Sequence, residues 1–481
     1  MVLNQFGRST RVLFPRALCQ PLAAGLLVLS IGGTAAAQSQ DPYFEFLMAR
    51  RLEALGDQAG ALAALERAAA ADPASAEVRA EIASFQLRRN RRDDAESAAL
   101  QALKLDDGNL EAHRVLGLIY AANVDAMNAR TPQTQVEASA RQAITHLERA
   151  AGEAAAGTDI QIHYSLGRLY LRMDEPAKAV DAFVRVVNQN PGSAQGRLSL
   201  AQAYAAADDV KSAIETLEVI VDDEPRVASV LAQYQEQAGL LKEAAESYTR
   251  ALAAEPMSRA LKFRRIATVF NDRNYAQAAA FAAEAQAQHP DDLRFPRLRA
   301  RAVFEGGEPA RAVGILEPTA KANPKDTATQ LALADLYSDA GRDGDAERTL
   351  RQLLEVEPAN AEALNYLGYL LANHGRGLDE AVRLVERALV ADPGNPSYLD
   401  SLGWAHFRRG ALNEAEKYLT PAADQLPRNA VVQDHFGDVL ARQGRWLDAI
   451  AAWTRALAGD GGIDRTVVEK KIQDARSKVP R

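Results

Sequence analysis

The sequence predicts an all-α protein, an α-solenoid built from about twelve helix-turn-helix units. Two observations predict this fold class. An alanine recurs along almost the whole chain of 481 residues, in most cases 34 residues after the previous one. Aromatic residues make up only 6% of the chain while hydrophobic residues make up 47%. That mixture favours close-packed helices over strands, which prefer aromatic and β-branched side chains.

The first 37 residues have the three parts of a secretory signal peptide. Arg8, Arg11 and Arg16 make a positive start, residues 22–31 form a short apolar run, and small residues end at Ala37. The apolar run is about half as long as a bilayer-spanning helix. We therefore expect a signal peptide over residues 1–37, cleaved near Ala37, with no membrane insertion afterwards. An uncleaved anchor and a cytoplasmic protein with a chance leader are the alternatives.

Twelve alanines, called the marker alanines below, set the repeat. They are Ala61, Ala95, Ala143, Ala179, Ala213, Ala244, Ala278, Ala312, Ala346, Ala381, Ala415 and Ala449. Apolar or small residues follow each marker by four and seven positions, and in nine units a proline follows it by twelve. Offsets of four and seven lie on one face of a helix, and proline cannot continue a helix. Each marker therefore lies in a second helix that ends before the proline.

A second apolar stripe precedes each marker and predicts the first helix of the unit. Leu402-Gly403 and Phe407 are an example, in which the glycine allows a neighbouring helix to approach closely. One such helix pair cannot bury its apolar face alone, whereas stacked pairs make a continuous core. We therefore expect a repeat array over residues 38–461. Residues 462–481 are expected to form a polar capping helix and a tail.

This pattern resembles the tetratricopeptide repeat, whose period is about 34 residues. The resemblance covers about residues 42–461 and is clearest where Leu367-Gly368, Leu402-Gly403-Trp404 and Phe436-Gly437 precede a regular second helix. It implies a right-handed superhelix whose first helices line a concave groove that holds peptides or protein segments. The C-terminal repeats are similar to those of envelope repeat proteins from Gram-negative bacteria.

Three features depart from the regular spacing. The third unit has 14 extra residues within positions 123–141, which we expect to form a protruding loop between its two helices. The sixth unit is three residues short, so its helices are expected to be cramped. Pro318 and Pro421 fall inside second helices and are expected to kink those helices or to end them early.

The chain carries no motif of an enzyme, a metal site or a nucleotide site. Zinc-protease, phosphate-loop and nucleophile-elbow patterns are absent, and the seven histidines have no ligand spacing. One cysteine excludes a disulfide framework, and a net charge of −8 argues against general binding to nucleic acid. We therefore expect a non-enzymatic protein without cofactor or metal. Its expected partners are one or more proteins or peptide segments, and its oligomeric state is left open.

Groove positions are expected about eleven and fifteen residues before each marker, and they contain two candidate patches. The first patch is basic: Arg297 and Arg301 hold these positions in the eighth unit, and Arg294 lies one turn earlier on the same face. Such a stripe could hold a carboxylate of a partner. Alternatively, it is a solvated face with ordinary ion pairs.

The second patch is aromatic. Tyr369 and Trp404 hold equivalent groove positions in successive units, flanked by Asn365, Asp400 and Phe407. Aromatic side chains beside polar groups are common anchors for protein partners. Packing between repeats is the alternative interpretation of these five residues.

These observations predict an exported, periplasmic scaffold in the cell envelope of a Gram-negative bacterium. It would bind partners through many weak contacts along the groove. Two narrower roles follow from the resemblance to envelope repeat proteins. One is an adaptor that presents substrates to a periplasmic processing protease, and the other is a component of envelope polymer assembly or export.

Overall fold

The computed structural model describes residues 41–128, 130–152 and 159–479. Within these ranges the chain forms 25 α-helices, one short 3₁₀ helix and no strand. The predicted all-α solenoid is thereby confirmed for the described part of the chain. The chain divides into two compact units, Met1–Glu153 and Ala154–Arg481. The signal peptide predicted for residues 1–37 lies outside the described residues.

The first unit contains three helix pairs, each made of two antiparallel neighbours. The first helices of these repeats are α1 (Pro42–Ala54), α3 (Ala76–Arg88) and α5 (Leu110–Ala126). The second helices are α2 (Gln58–Ala71), α4 (Arg92–Leu105) and α6 (Gln133–Ala151).

The second unit contains nine helix pairs, repeats 4 to 12, and a last single helix. The first helices are α7 (Ile160–Arg172), α9 (Ala194–Ala206), α11 (Ala228–Gln237), α13 (Arg259–Asn271), α15 (Arg294–Glu305), α17 (Thr327–Asp339), α19 (Ala361–Asn373), α21 (Pro396–Arg408) and α23 (Ala430–Arg442). The second helices are α8 (Pro176–Gln189), α10 (Val210–Glu218), α12 (Leu241–Ala254), α14 (Tyr275–Gln288), α16 (Pro309–Ala322), α18 (Asp343–Val356), α20 (Leu378–Ala391), α22 (Leu412–Gln425) and α24 (Trp446–Ala458). Helix α25 (Arg465–Arg476) follows them.

The marker alanines form the contact between the helices of each pair. All twelve lie in second helices and have an exposed fraction of 0%. The residues four positions later are buried as well, for example Phe183 at 0% and Trp453 at 4%. The two helices of a pair approach closely at glycine positions: a Cβ atom added to Gly437 would lie 2.5 Å from the indole ring of Trp453. Close packing of this kind allows no extra methyl group without rearrangement.

Proline ends the second helices at the expected place. In eight repeats the helix ends two residues before the proline, as at Ala71 before Pro73 and at Gln425 before Pro427. The ninth proline, Pro225, instead begins the 3₁₀ helix Pro225–Val227. The junction between the fifth and sixth repeats is therefore irregular: α10, the second helix of the fifth repeat, has 9 residues, and α11, the first helix of the sixth repeat, has 10 residues.

One local expectation is wrong, and a second is wrong in one of its two alternatives. The extra residues of the third repeat do not form a long loop, because they lengthen α5 to 17 residues and α6 to 19 residues. Only residues 127–132 connect these helices, and Ala129 among them is outside the described residues. Early helix ends at Pro318 and Pro421 do not occur, since α16 and α22 each run for 14 residues, the usual length of a second helix here, and a kink at these prolines stays a prediction. A proline removes one backbone donor, and burial of the helix face outweighs that loss.

Helix α25 packs against the last repeat. Val468 and Ala475 are each 1% exposed and share an apolar cluster with Leu440 and Trp453. The ammonium group of Lys471 in α25 donates hydrogen bonds of 2.8 and 2.9 Å to carboxylate oxygens of Asp434 and Asp438 in α23. The helix therefore covers the apolar end of the array and turns a polar face outwards.

Candidate partner-binding groove

A cavity of about 460 Å³ lies between the first helices α13, α15 and α17 of repeats 7 to 9. Its floor is apolar and comes from four helices. The floor residues are Phe263, Leu298, Leu316, Ala328, Ala332 and Leu336. Its rim carries Arg294, Arg297 and Arg301, the three residues that form the predicted basic patch. We call this feature the arginine cavity.

The positive charge of the rim is balanced, because every rim arginine already has a carboxylate partner. The pairs are Arg294 with Asp292 at 2.7 Å, Arg297 with Asp326 at 2.8 Å, and Arg301 with Glu305 at 2.6 Å and Asp339 at 2.9 Å. Arg297 also donates a hydrogen bond of 3.1 Å to the hydroxyl group of Thr329. These pairs are partly exposed, so each contributes little stability, but together they balance the charge of the rim.

The neighbouring basic residues are paired as well. Arg259 contacts Asp291 at 2.8 Å, and Arg265 contacts Glu284 at 3.1 Å while its guanidinium group stacks 3.8 Å from the ring of Phe281. The arginines Arg259 and Arg265 of the basic stretch therefore form ion pairs within the protein. Some of the carboxylate partners of this stretch lie in the same repeat, such as Glu284 in α14, whereas Asp326 and Asp339 belong to the next repeat.

One acidic residue faces the arginine cavity. Asp335 lies on α17 among the lining residues, and partial burial by the surrounding protein raises the pKa of its carboxyl group. A hydrogen bond with Tyr366 opposes this shift, but burial has the larger effect. Because the rim arginines already have carboxylate partners, the cavity is better suited to an uncharged group than to an anion.

The five residues of the predicted aromatic patch lie on the neighbouring helices α19 and α21, and His435 of α23 joins them. Trp404 is 9% exposed and stacks on His435, with ring centroids 4.0 Å apart, and on Phe407 at 5.1 Å. The Nδ1 atom of His435 lies 2.9 Å from Oδ1 of Asp400, so that an Nδ1–H group donates to the carboxylate. Tyr369 is partly exposed, and burial raises the pKa of its hydroxyl group.

Trp404 therefore contributes to packing between repeats, whereas Tyr369 keeps a surface that a partner could contact. Two polar atoms of this patch have no hydrogen-bond partner among the described residues, namely Nε1 of Trp404 and Oδ1 of Asn365. An unpaired buried polar atom costs about 1–3 kcal/mol. None of the five predicted residues lines the arginine cavity, so the two patches remain separate surfaces of successive repeats.

Sequence reasoning missed His435, Asp335 and the apolar floor. His435 lies fourteen residues before its marker Ala449, one position from the expected groove register, and that offset could have indicated it. The floor could not be found in this way, because Leu316 belongs to a second helix and reaches the cavity between first helices.

Comparison with known families agrees with the helix pairs. Two family models, both described as tetratricopeptide repeat, match residues 230–292, 331–396 and 375–430, and residues 170–234. The lining of the arginine cavity comes partly from the matched segments 230–292 and 331–396 and partly from the residues between them, and the five residues of the aromatic patch fall within matched segments. Tetratricopeptide repeats generally act as surfaces for binding other proteins.

Three similar proteins show how far the sequence identity and the matched length extend. A TPR repeat-containing protein of Pseudomonas aeruginosa is 32% identical over 159 residues, which are 32% of this chain and 26% of that protein. The protein O-mannosyl-transferase Tmtc3 of Drosophila melanogaster is 34% identical over 110 residues, 23% of this chain and 12% of that protein. The solved Naa15/Naa10 complex bound to HypK-THB is 16% identical and covers 90% of this chain and 70% of its own, with a TM-score of 0.43.

The chain spans about a quarter or less of the length of the curated relatives it matches. None of the described helices is both long enough and apolar enough to cross a bilayer. Where the structure describes the chain, no three His, Cys, Asp or Glu side chains are grouped so that they could hold a metal ion.

Proposed function

We propose that this chain is a non-enzymatic scaffold of the cell envelope that binds segments of other proteins in the groove formed by its first helices. The observation that supports the proposal is the arginine cavity, an apolar pocket of about 460 Å³ with a polar rim. Pockets that bind ligands or side chains are commonly apolar, with a few polar groups that fix orientation. The tetratricopeptide repeats on both sides of the cavity favour a protein as the occupant.

The lining favours a large apolar side chain over a carboxylate. The floor offers leucine, alanine and phenylalanine side chains, and burial of an aromatic or leucine side chain there would stabilise the complex by the hydrophobic effect. A carboxylate would first have to displace Asp326 from Arg297, or Glu305 and Asp339 from Arg301. The remaining N–H groups of the arginines are suited to donate to backbone carbonyl groups of an extended segment. Carboxylate capture by Arg294, Arg297 and Arg301 stays the alternative.

Two variants separate these possibilities. Ala332→Trp fills the cavity from the partly buried floor and leaves the rim charges unchanged. The double variant Arg297→Glu with Arg301→Glu reverses the rim charges and leaves the floor unchanged. Arg311→Glu is the matched control, because Arg311 is an exposed arginine of α16 that does not line the cavity and whose carboxylate partner among the described residues is the neighbouring Glu308.

The measurement is a crosslinked pulldown from the envelope fraction, with each captured protein quantified relative to the wild-type bait. Loss of the same partners with Ala332→Trp, and their retention with Arg311→Glu, is the result expected for an apolar anchor. Loss of the partners with the Arg297→Glu and Arg301→Glu double variant, but not with Ala332→Trp, would instead assign a carboxylate ligand. Capture that is unchanged in both variants, in baits whose helix content is unchanged, would refute binding at this cavity.

The cell-envelope location is part of the proposal and depends on the leader predicted for residues 1–37. Mass spectrometry of the mature protein tests it, since export with cleavage near Ala37 gives a chain that starts at Gln38. An intact Met1 in the cytoplasmic fraction would refute export. The narrower roles, an adaptor for a processing protease or a component of polymer assembly or export, are distinguished by which partners the pulldown identifies.

The proposal of a non-enzymatic role agrees with the general use of tetratricopeptide repeats. One similar protein is by name a transferase, but the match covers only 12% of it. The chain has no catalytic motif in its sequence. Purified protein that transfers or hydrolyses a substrate at enzymatic rates would refute this part of the proposal.

A further inference from the structure

Helix α1 of the first repeat exposes an apolar stripe that the described residues leave uncovered. Tyr43 is 68% exposed, Phe44 56% and Leu47 50%. The opposite face of the same helix is packed in the core, where Ala49 is 2% exposed. Three large apolar side chains so exposed on one helix are unusual for a single surface site and indicate an interface.

The stripe carries aromatic residues on one side of Leu47 and arginines at the matching offsets on the other side. Tyr43 and Phe44 precede Leu47 by four and three positions, and Arg50 and Arg51 follow it by three and four positions. Offsets of three and four lie on the same face of a helix, so all five side chains belong to one stripe. Both arginines are exposed, and Arg50 forms an ion pair with Glu81 at 3.3 Å.

We infer that this stripe binds the same stripe of a second copy of the chain, with the two α1 helices antiparallel and a two-fold axis passing near Leu47. In a two-fold interface, each residue that contacts a different residue is contacted by it in return. This register places Leu47 against Leu47 of the second copy. It also places the aromatic pair of each copy against the arginine pair of the other copy.

Contacts between arginine cations and aromatic rings, which this register creates at both ends, support this occupant and this direction. The guanidinium group of Arg51 lies over the ring of Tyr43 of the second copy, a cation–π contact, at both ends of the interface. Arg51 lies four residues from the axis, about 6 Å along the helix, so the two Arg51 side chains are about 12 Å apart. That separation exceeds the Debye length of about 8 Å at physiological salt. A parallel pair would instead place identical arginines opposite each other.

The interface is small, because one helix of 13 residues forms most of it on each side. Small interfaces of this kind are weak and transient. We therefore expect reversible dimers whose population rises with protein concentration in the micromolar range. This inference is independent of the arginine cavity, which lies in the other compact unit.

Engineered cysteines test the contact and its direction in the full-length chain, in a background with Cys19→Ser. Leu47→Cys should crosslink to itself under mild oxidation, because disulfides need Cα atoms within about 7 Å. Tyr43→Cys alone should not crosslink above background, since its symmetry mate is about 12 Å away by the same helical rise. A mixture of Tyr43→Cys and Arg51→Cys chains should form the mixed dimer. Leu447→Cys, on α24, is the control because Leu447 is 68% exposed, as Tyr43 is.

Sedimentation velocity gives a second measurement that needs no cysteine. The wild-type protein should show a rising dimer fraction between about 1 and 100 μM, a range chosen for the weak interface. Leu47→Asp should remain monomeric with unchanged helix content, since Leu47 lies outside the core. The inference is overturned if the wild-type protein stays monomeric and Leu47→Cys crosslinks no faster than Leu447→Cys, which would mean that another occupant covers the stripe. It is equally overturned if Tyr43→Cys alone crosslinks as fast as Leu47→Cys.

Discussion

Replacement of Gly437 by alanine should loosen the last repeat, although alanine is the better helix former. Gly437 lies within α23, and an added Cβ atom would lie 2.5 Å from both Cδ1 and Nε1 of Trp453 and 2.9 Å from Cε2. Trp453 cannot move away freely, because it is 4% exposed and its Nε1–H group donates to Oδ1 of Asp438 at 3.1 Å. The methyl group must therefore displace a packed ring.

The magnitude follows from three contributions. Overpacking of a core costs about 1–3 kcal/mol, and we take about 2 kcal/mol because three ring atoms are contacted. Disruption of the hydrogen bond between Trp453 and Asp438 adds about 1 kcal/mol. Removal of a glycine from a helix returns about 1 kcal/mol. The net destabilisation of α23 and α24 is about 2 kcal/mol, which corresponds to about a 30-fold change in the local opening equilibrium.

Hydrogen exchange followed by mass spectrometry is the suitable assay, because stability in a repeat array is local. Gly437→Ala should speed exchange of the amides of α23 and α24 by about 30-fold, the factor derived above. Gly314→Ala is the matched control: Gly314 lies in α16, and no atom is within 4 Å of its added Cβ. That substitution should slow exchange in α16 by about fivefold, from the propensity gain of about 1 kcal/mol alone.

The reasoning is refuted if both alanine variants slow exchange in their own helices. That outcome would mean that the close approach of α23 to Trp453 relaxes without cost, so that helix propensity alone decides the sign. The same outcome would remove the argument that the glycines of the first helices are needed for close packing of the pairs.

Two further predictions concern charged and titrating groups. Lys471→Met should free α25 from the last repeat, because Asp434 and Asp438 lose their cation while burial already raises the pKa of the Asp438 carboxyl group. We expect the free energy of α25 opening to fall by about 2–3 kcal/mol, measured as faster exchange of the α25 amides. Unchanged exchange of these amides would contradict the role of this contact. In the third repeat, Nδ1 of His146 lies 2.8 Å from Nδ1 of His113, and burial, together with the charge of His113, lowers the pKa of His146. Because the folded state then binds fewer protons than the unfolded state, α6 should be fully stable above the ordinary histidine pKa of about 6.5 and should lose stability as the pH falls below it. His146→Gln should reduce this loss, as measured by exchange of α6 amides at pH 7.5 and 5 after correction for intrinsic rates, and a variant as acid-sensitive as the wild type would contradict the assignment.

The repeat architecture was predictable because it depends on local periodicity. A marker alanine and the residues four and seven positions later lie on one helical face wherever the helix packs. All twelve markers are accordingly buried at 0% exposure. The same local logic failed for the third repeat, since extra residues between two helices can either form a loop or extend both helices. Helix propensity and burial of Val136 and Ala140, which are 4% and 0% exposed, favour extension.

The candidate groove was predictable in its position and not in its chemistry. Arg294, Arg297 and Arg301 line one cavity, as their shared helical face predicts. Their partners in the next repeat were not predictable, because Asp326 is 29 residues and Asp339 is 38 residues away from the arginine that each contacts. The stack of Trp404 on His435 was not predictable either, since the two residues belong to neighbouring repeats.

The sequence by itself thus determined which residues form the helices, where most second helices end, and which small side chains lie between the helices. These features follow from the geometry of a single helix and from the conformation of proline and glycine. The tertiary structure alone decided which side chains meet across successive repeats, and therefore that the basic rim is balanced by carboxylates over an apolar floor. That choice depends on the distances between stacked helices, which no periodicity within one repeat contains.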